Sequence, residues 1–361
     1  PGTGIIDRVV DVIPDAWFGG GKHDDFPFGG YGGGTDEAFL LAIAMPPPDR
    51  RSEVQTAFDA IAQGGGADLP ESHTEALFQI MTGAGNTWTS GAGGGSYTVR
   101  RYVGDCLDRG FGAPCFRPGA LPIVVHFTDI CAHEGAPGED TGACDPYTGI
   151  TPAPATWGEA IDEMNARGAK YVGINASRGR ACEPPYDPAG FSPCFYLAQT
   201  AEATGSIDLD GNFLVFNLPN ESTSADFIDG VVGGIETVAT RVPLDVDTQV
   251  RGEGGSEVDT RLFVKRRQPA CRADPPTNPC WTPPTDIPAD RAIAAIDEST
   301  FFGVIPGTSV RFRVTFRNDF VEGGDTAQLF IAFIDVRGGG STVLDTRQVF
   351  IIVPATSNLP I

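Results

Sequence analysis

The stretch LPIVVHFTD, residues 121–129, limits what this chain can fold into more than any other. An unbroken apolar run of strand length, ending in polar residues, suits a strand covered on both faces, which is where strands of a parallel sheet lie. Parallel strands are joined by crossover helices, and the neighbouring sequence supplies them. TWGEAIDEMNARG reads as a helix, KYVGINA as a second buried strand, and SADFIDGVVGGIETVATRV as a last amphipathic helix. Upstream, GIIDRVVDVI reads as the end of an amphipathic helix and AWFGGGKHDDF as a strand running into a loop. EAFLLAIAM reads as an apolar strand closed by Pro46, Pro47 and Pro48. In RSEVQTAFDAIAQ, Val54, Ala57, Phe58 and Ile61 recur at helical spacing. The expected fold of this region is α/β, a Rossmann-like sheet with helices on both faces.

From about Leu244 the period changes to two. RLFVKRRQ, SVRFRVTFRND, AQLFIAFIDVRG and TVLDTRQVFIIVP alternate apolar and polar residues between Gly, Pro and Asp turns, which predicts an antiparallel β-sandwich. A chain of 361 residues also exceeds what one core usually serves. The expected domains are therefore 1–243, α/β, and 244–361, β-sandwich. The second carries no cluster of His, Cys or carboxylates and reads as a spacer or docking module.

Eight cysteines fall into four close neighbours inside Gly/Pro-rich stretches. None has CxxC spacing, and His is scarce, so disulfides account for them better than metal thiolates. The expected pairs are Cys106–Cys115, Cys131–Cys144, Cys182–Cys194 and Cys271–Cys280, each worth roughly 2 to 3 kcal/mol through restriction of the unfolded loop. Such pairs belong to an oxidising compartment, so the chain is expected outside the cytoplasm: extracellular, secreted or at the cell surface. No apolar run of membrane length is visible, so no direct membrane insertion is expected. The opening Pro1 in place of Met reads as a processed or trimmed N-terminus. A net charge of −22 repels phosphate backbones and anionic headgroups and argues against a nucleic-acid partner. As a rule such an acidic excess serves solubility.

Against that background one stretch stands out. GGGADLPESHTEALF, residues 64–78, sets Asp68, Pro70 and Glu71 just ahead of a helical pattern that starts near Glu71. An ordinary helix start uses these residue types, since Asp caps and Pro and Glu favour the first turn. The same carboxylates also suit a hard cation, for which Ca²⁺ takes six to eight oxygens and Mg²⁺ six.

The order of segments resembles von Willebrand factor A domains, and most closely integrin β-type I-like domains, over about the first two thirds of the chain. The resemblance is carried by AWFGGGKHDDFPF, EAFLLAIAM, SEVQTAFDAIAQGGGADLPESHTEALFQI and LPIVVHFTD, above all by Asp68, Pro70 and Glu71 after the helix with Glu53, Val54 and Gln55, and by the strand end Thr128-Asp129. It implies that Glu71 ligates an adhesion-site cation. A neighbouring Ca²⁺ would be held by Asp25, Asp68, the Pro70 carbonyl and the other Glu71 oxygen, and Asp129 would act from the sheet edge through a water. Two departures stand against it. Gly66 occupies the position of a ligating asparagine, and the Asp-x-Ser-x-Ser strand that opens such domains is absent from this sequence, being trimmed, cleaved, contributed by another polypeptide, or lost together with its site. Trimming or cleavage is the favoured expectation, because omitting a central strand leaves its neighbours' backbone unpaired.

Other candidates read as structural. Asp208 to Asn212 has part of a calcium loop, but its Gly comes too early and no Glu closes it, so a hairpin turn is expected. His126 reads as a core histidine. His133 beside Glu134 lacks the second His of an HExxH zinc site. Thr35 and Asp36 follow YGGG with no Lys, which argues against a phosphate loop and for a loop at the binding edge with Thr128. Lys265, Arg266 and Arg267 read as a solvated strand end. No catalytic order of Ser, His and Asp, no Cys nucleophile context and no paired-acid motif is evident, so no enzyme is expected.

The expected function is metal-dependent adhesion or protein binding outside the cell, a carboxylate from a protein partner completing the shell of Ca²⁺ and/or Mg²⁺. The alternative is a structural subunit that contacts neighbouring subunits, with a purely structural cation or none.

Overall fold

The computed structural model describes the chain except residues 1–3, 63, 65, 66, 92–94, 107–109, 178, 179, 219–223, 256 and 357–361. Gly66 and Pro1 lie outside the described residues. Chain contacts divide it into Pro1–Val242 and Pro243–Ile361.

The first unit opens with helix α1 (Ile5–Val12), the antiparallel hairpin of β1 (Gly20–Lys22) with β2 (Leu40–Ile43), and helices α2 (Arg51–Asp59) and α3 (His73–Thr82). Next come β3 (Asn86–Ser90), β4 (Ser96–Val99), β5 (Ile123–Thr128), β6 (Ile150–Thr151), α4 (Trp157–Ala166), β7 (Lys170–Asn175), α5 (Cys194–Ala203), β8 (Val215–Asn217) and α6 (Ser224–Arg241). Strands β5, β7 and β8 form a parallel sheet in that order, with Ile123 beside Lys170 and Gly173 beside Val215. Helices cover both faces. On one, Leu77 and Met81 of α3, Ile161 and Met164 of α4 and Leu197 of α5 close over Val124 and Tyr171. On the other, Val238 of α6 packs with Val172 and Ile174, and Val9 of α1 packs on Val231 and Val232.

Local chemistry sets the helix ends. Thr156 and Glu159 form a reciprocal capping box on α4, the arrangement that satisfies two orphan N–H groups at once. Helix α3 stops at Gly83, whose φ of 60° is left-handed and where a Cβ would meet the Ala113 amide nitrogen at 3.0 Å.

Three expectations are corrected. The helix after Asp68 begins at His73, not near Glu71; Glu71 sits outside it, in a parallel bridge with Ala132. Strand β5 is not buried on both faces throughout. Val124, His126 and Thr128 are buried on one face, while Phe127, on the other, stacks on Phe227 of α6 and stays partly exposed. The third is an omission: between α3 and β5, where the sequence reading named no element, lie β3 and β4, which form an antiparallel sheet with β6 and seat Trp88 in a second core with Phe26. Helix α5 also went unread.

The second unit is antiparallel in every described pairing. Strands β9 (Leu244–Gly252), β12 (Ala295–Ile296), β13 (Phe301–Val304), β16 (Gln328–Gly338) and β17 (Thr342–Val353) make a five-stranded sheet in the order β12-β13-β9-β16-β17. Two ribbons accompany it, β10 (Val264–Pro269) with β15 (Phe312–Phe316) and β11 (Trp281–Thr282) with β14 (Ser309–Val310). Val246, Ala270, Cys280 and Phe301 form its core. Lys265, in β10, pairs with Asp319 at 2.7 Å.

All four disulfides occur, Cys106–Cys115, Cys131–Cys144, Cys182–Cys194 and Cys271–Cys280. Disulfides of this kind persist in oxidising compartments. Among the described residues no helix is long and apolar enough to cross a membrane.

Candidate divalent-cation site

Three loops of the first unit meet around His133. The first follows β1, where the Asp24 amide donates to the Glu37 carbonyl and Ser72 Oγ donates to the carbonyl of Asp24. This pins Asp25 with no exposed surface. Its Oδ1 accepts from the Phe26 amide and the Tyr147 hydroxyl. The second loop carries Asp68: the amides of Ala67 and Asp68 donate to the Tyr31 carbonyl at 2.8 and 3.1 Å. The third is closed by Cys131–Cys144. It is hung on Glu71, whose amide donates to the Cys131 carbonyl while the His133 amide donates to the Glu71 carbonyl.

That bridge places the His133 ring. Its Nε2 lies 3.1 Å from Asp68 Oδ2 and 3.4 Å from Asp25 Oδ2, and its Nδ1 faces the Asp145 carbonyl. A carbonyl only accepts, so Nδ1 carries a proton; a second proton on Nε2 makes the ring an imidazolium between two carboxylates. Burial works against that charge, but the Asp25 carboxylate, the Asp145 carbonyl and Asp68 outweigh it and raise His133 to about 9. Tyr147 lies against the ring with centroids 4.2 Å apart, and Tyr31 meets its edge.

The carboxylates remain under-partnered even so. Asp25 Oδ2, Asp68 Oδ1 and Glu71 Oε2 are buried and accept no well-formed hydrogen bond among the described residues, although His133 Nε2 stands 3.4 Å from the first. Burial, then repulsion from Asp25, Asp24, Asp36 and Asp68, pushes Glu71 up to about 8. Burial chiefly, with His133 opposing and Asp25 assisting, lifts Asp68 to about 6. Like charges held this close in a poorly solvated place repel unless something positive stands among them.

The atoms that converge within 4.8 Å of one another belong to Asp25, Asp68 and His133. This donor set fits a divalent cation, with two carboxylates and an imidazole whose other nitrogen is fixed by a backbone carbonyl, the usual outer support of a histidine ligand. It is less purely oxygen than Ca²⁺ or Mg²⁺ prefer, because the imidazole adds affinity for first-row metals. Glu71 lies beside the trio, Pro70 is buried between Asp68 and Glu71, and Asp68 is the ligand side chain that reaches solvent.

The other expected site residues are placed differently. Asp129 is exposed just after β5 and takes no part in the converging group. Thr35 is exposed. Asp36 is buried and its Oδ2 accepts from the Gly33 amide at 2.6 Å. Thr128 is also buried, its Oγ1 3.0 Å from His73 Nε2. Neither presents a side chain at an edge. His133 was weighed in the sequence only as half of an HExxH zinc site and set aside, and Tyr147 was not singled out. The signal was a histidine inside the short CAHEGAPGEDTGAC loop, but its meaning needs the Glu71 bridge, which no spacing reveals.

The fold and site together define an α/β unit with a carboxylate and histidine cluster at a loop edge. No family model matches the chain, and no curated protein matches it. Among solved structures it is similar to a von Willebrand factor type A protein from Catenulispora acidiphila, with a TM-score of 0.34 and 13% identity over 98% of this chain; it spans 61% of that structure.

Proposed function

We propose that the first unit is a protein-binding module of the von Willebrand factor A type, working outside the cell and not as an enzyme. A divalent cation held by Asp25 and Asp68, with His133 and Glu71 beside it, receives a carboxylate from the partner. The observation that carries this reading is the convergence of ligand atoms from Asp25, Asp68 and His133 within 4.8 Å of one another, with buried oxygens of both aspartates left without a hydrogen bond among the described residues. When bound, the cation supplies positive charge and coordination positions. Asp25 and Asp68 would hold it, His133 would turn from counter-ion to ligand or neighbour by losing the Nε2 proton, and solvent-facing Asp68 marks the side from which a partner enters. Ca²⁺ and Mg²⁺ are the cations the resemblance implies, and Mn²⁺ tolerates the added imidazole. The second unit, a sandwich-type module, serves as spacer.

A second reading has its own support: His133 already stands between Asp25 and Asp68. In that case the ring is the permanent counter-charge and the chain is a structural subunit. Electron paramagnetic resonance of Mn²⁺ added to the metal-free chain, with ¹³C-acetate as the carboxylate probe, separates the two. Hyperfine coupling to acetate that disappears in Asp68→Asn supports the binding module. Absence of Mn²⁺ binding by the folded chain sinks it in favour of the structural subunit.

A further inference from the structure

The chain has four histidines, and three of them, His23, His73 and His126, meet in a second cluster that the acidic site does not use. They come from distant places: His23 follows β1, His73 opens α3, and His126 lies in β5. Ring centroids are 4.7, 5.2 and 4.9 Å apart for the pairs 23–73, 23–126 and 73–126, all edge to face. His73 has no exposed surface and His126 is 7% exposed.

Three buried imidazoles in contact are a poor way to fill a core. Each neutral ring has one N–H and one lone pair, and a buried nitrogen without a partner costs about 1 to 3 kcal/mol. Here the Nδ1 atoms of both His23 and His73 are buried with no partner among the described residues. The outer contacts, in contrast, are well made. His126 Nδ1 lies 2.6 Å from the Tyr171 hydroxyl, and His73 Nε2 lies 3.0 Å from Thr128 Oγ1. Each of these two rings therefore has one nitrogen held from outside and the other left for a metal, as in metal-ligating histidines: His126 Nε2 lies 3.1 Å from His23 Nε2, and His73 Nδ1 has no partner among the described residues.

We propose that His23, His73 and His126 form a binding site for a first-row transition metal of the Zn²⁺ type. His126 ligates through Nε2 and His73 through Nδ1, with Tyr171 and Thr128 orienting the rings. One candidate nitrogen of each histidine lies within 4.8 Å of the others, and His23 Nε2 is 3.1 Å from His126 Nε2. Two ligands at the roughly 2.0 to 2.1 Å of a Zn–N bond, spread at a tetrahedral angle, stand about 3.3 to 3.4 Å apart. An all-imidazole set selects Zn²⁺, Co²⁺, Ni²⁺ or Cu²⁺ over Ca²⁺ and Mg²⁺. The site is thus chemically distinct from the carboxylate group at Asp25 and Asp68, and either can exist without the other.

The test uses the untagged full chain, stripped of metal and titrated with Co²⁺, whose visible absorption reports tetrahedral nitrogen ligation. The expected result is stoichiometric binding with intense visible bands, insensitive to excess Ca²⁺ and displaced by Zn²⁺. His23→Ala, at the most accessible of the three positions, should weaken it at least about tenfold with the circular dichroism unchanged, and Tyr171→Phe should weaken it less. Asp25→Asn and Asp68→Asn should leave the bands in place. The proposal is overturned if the folded chain gives no such bands, if His23→Ala and His126→Gln both retain them, or if the aspartate variants abolish them and the histidine variants do not. Should His126→Gln fail to fold, His23→Ala alone decides.

Discussion

His133 Nε2 stands 3.1 Å from Asp68 Oδ2, on a ring with no exposed side-chain surface. The same nitrogen is 3.4 Å from Asp25, so one imidazolium offsets two carboxylates. Removing it leaves Asp25 buried beside Asp68 and Glu71 with no positive neighbour. His133→Gln should therefore destabilise the first unit by about 3 to 5 kcal/mol, the usual cost of breaking a buried pair. Millimolar Ca²⁺ or Mn²⁺ should return part of the loss. Chemical denaturation with and without the cation checks this, and a variant as stable as the parent would remove His133 from the account.

Asp68 and Asp129 separate the clustered carboxylates from the one the fold leaves outside. Asp68→Asn removes a converging oxygen, whereas Asp129→Asn changes an exposed side chain after β5. A cation-induced rise in melting temperature should shrink strongly in the first variant and persist in the second. Equal loss in both would show that the cation sits elsewhere.

Glu139, in the same disulfide-closed loop as His133, gives a separate pH signature. It is buried, Oε2 accepts from the Ala136 amide at 3.0 Å, and Oε1 has no partner among the described residues. Burial raises it from 4.5 to about 8. Between those values the folded chain keeps a proton that the unfolded chain has lost, so the unfolding free energy falls as pH rises from about 4.5 to about 8 and then levels off. Glu139→Gln should remove this part of the slope and be the more stable form above pH 8, by on the order of a few kcal/mol. Denaturation curves of both forms across this range, in a chelator, test it; parallel profiles would refute it.

Gly234 tests how α6 meets the sheet. Ala is the better helix former by about 1 kcal/mol, but a Cβ here would meet Val172 Cγ1 at 2.6 Å and Phe216 Cε2 at 3.1 Å. Overpacking should win, and Gly234→Ala should lower stability by about 1 to 3 kcal/mol. A stabilised variant would mean that the helix and strands sit farther apart.

Much of the fold was legible because its signals are local. Period two after Leu244, the apolar KYVGINA, the TWGEAIDEMNARG helix with its cap and the four short cysteine spacings each reflect neighbours along the chain. Strands β3 and β4 were lost among glycines, although NTWTS and SYTV carry the aromatic and β-branched residues of strands.

The site divides in the same way. Asp68 and Glu71 were chosen from the sequence, since carboxylates beside turn residues announce themselves, and Asp25 came from the family resemblance. Which of them converge, the burial of Asp36 and Thr128, the exposure of Asp129 and the presence of His133 were decided by the tertiary structure alone. The sequence by itself determined element types and disulfide partners, because hydrophobic period and short loop closure act over a few residues. Only the folded chain could bring His133 to Asp68 and His23 to His126, because those meetings depend on a single backbone bridge at Glu71 and on the packing of β1, α3 and β5, contacts between segments far apart in sequence.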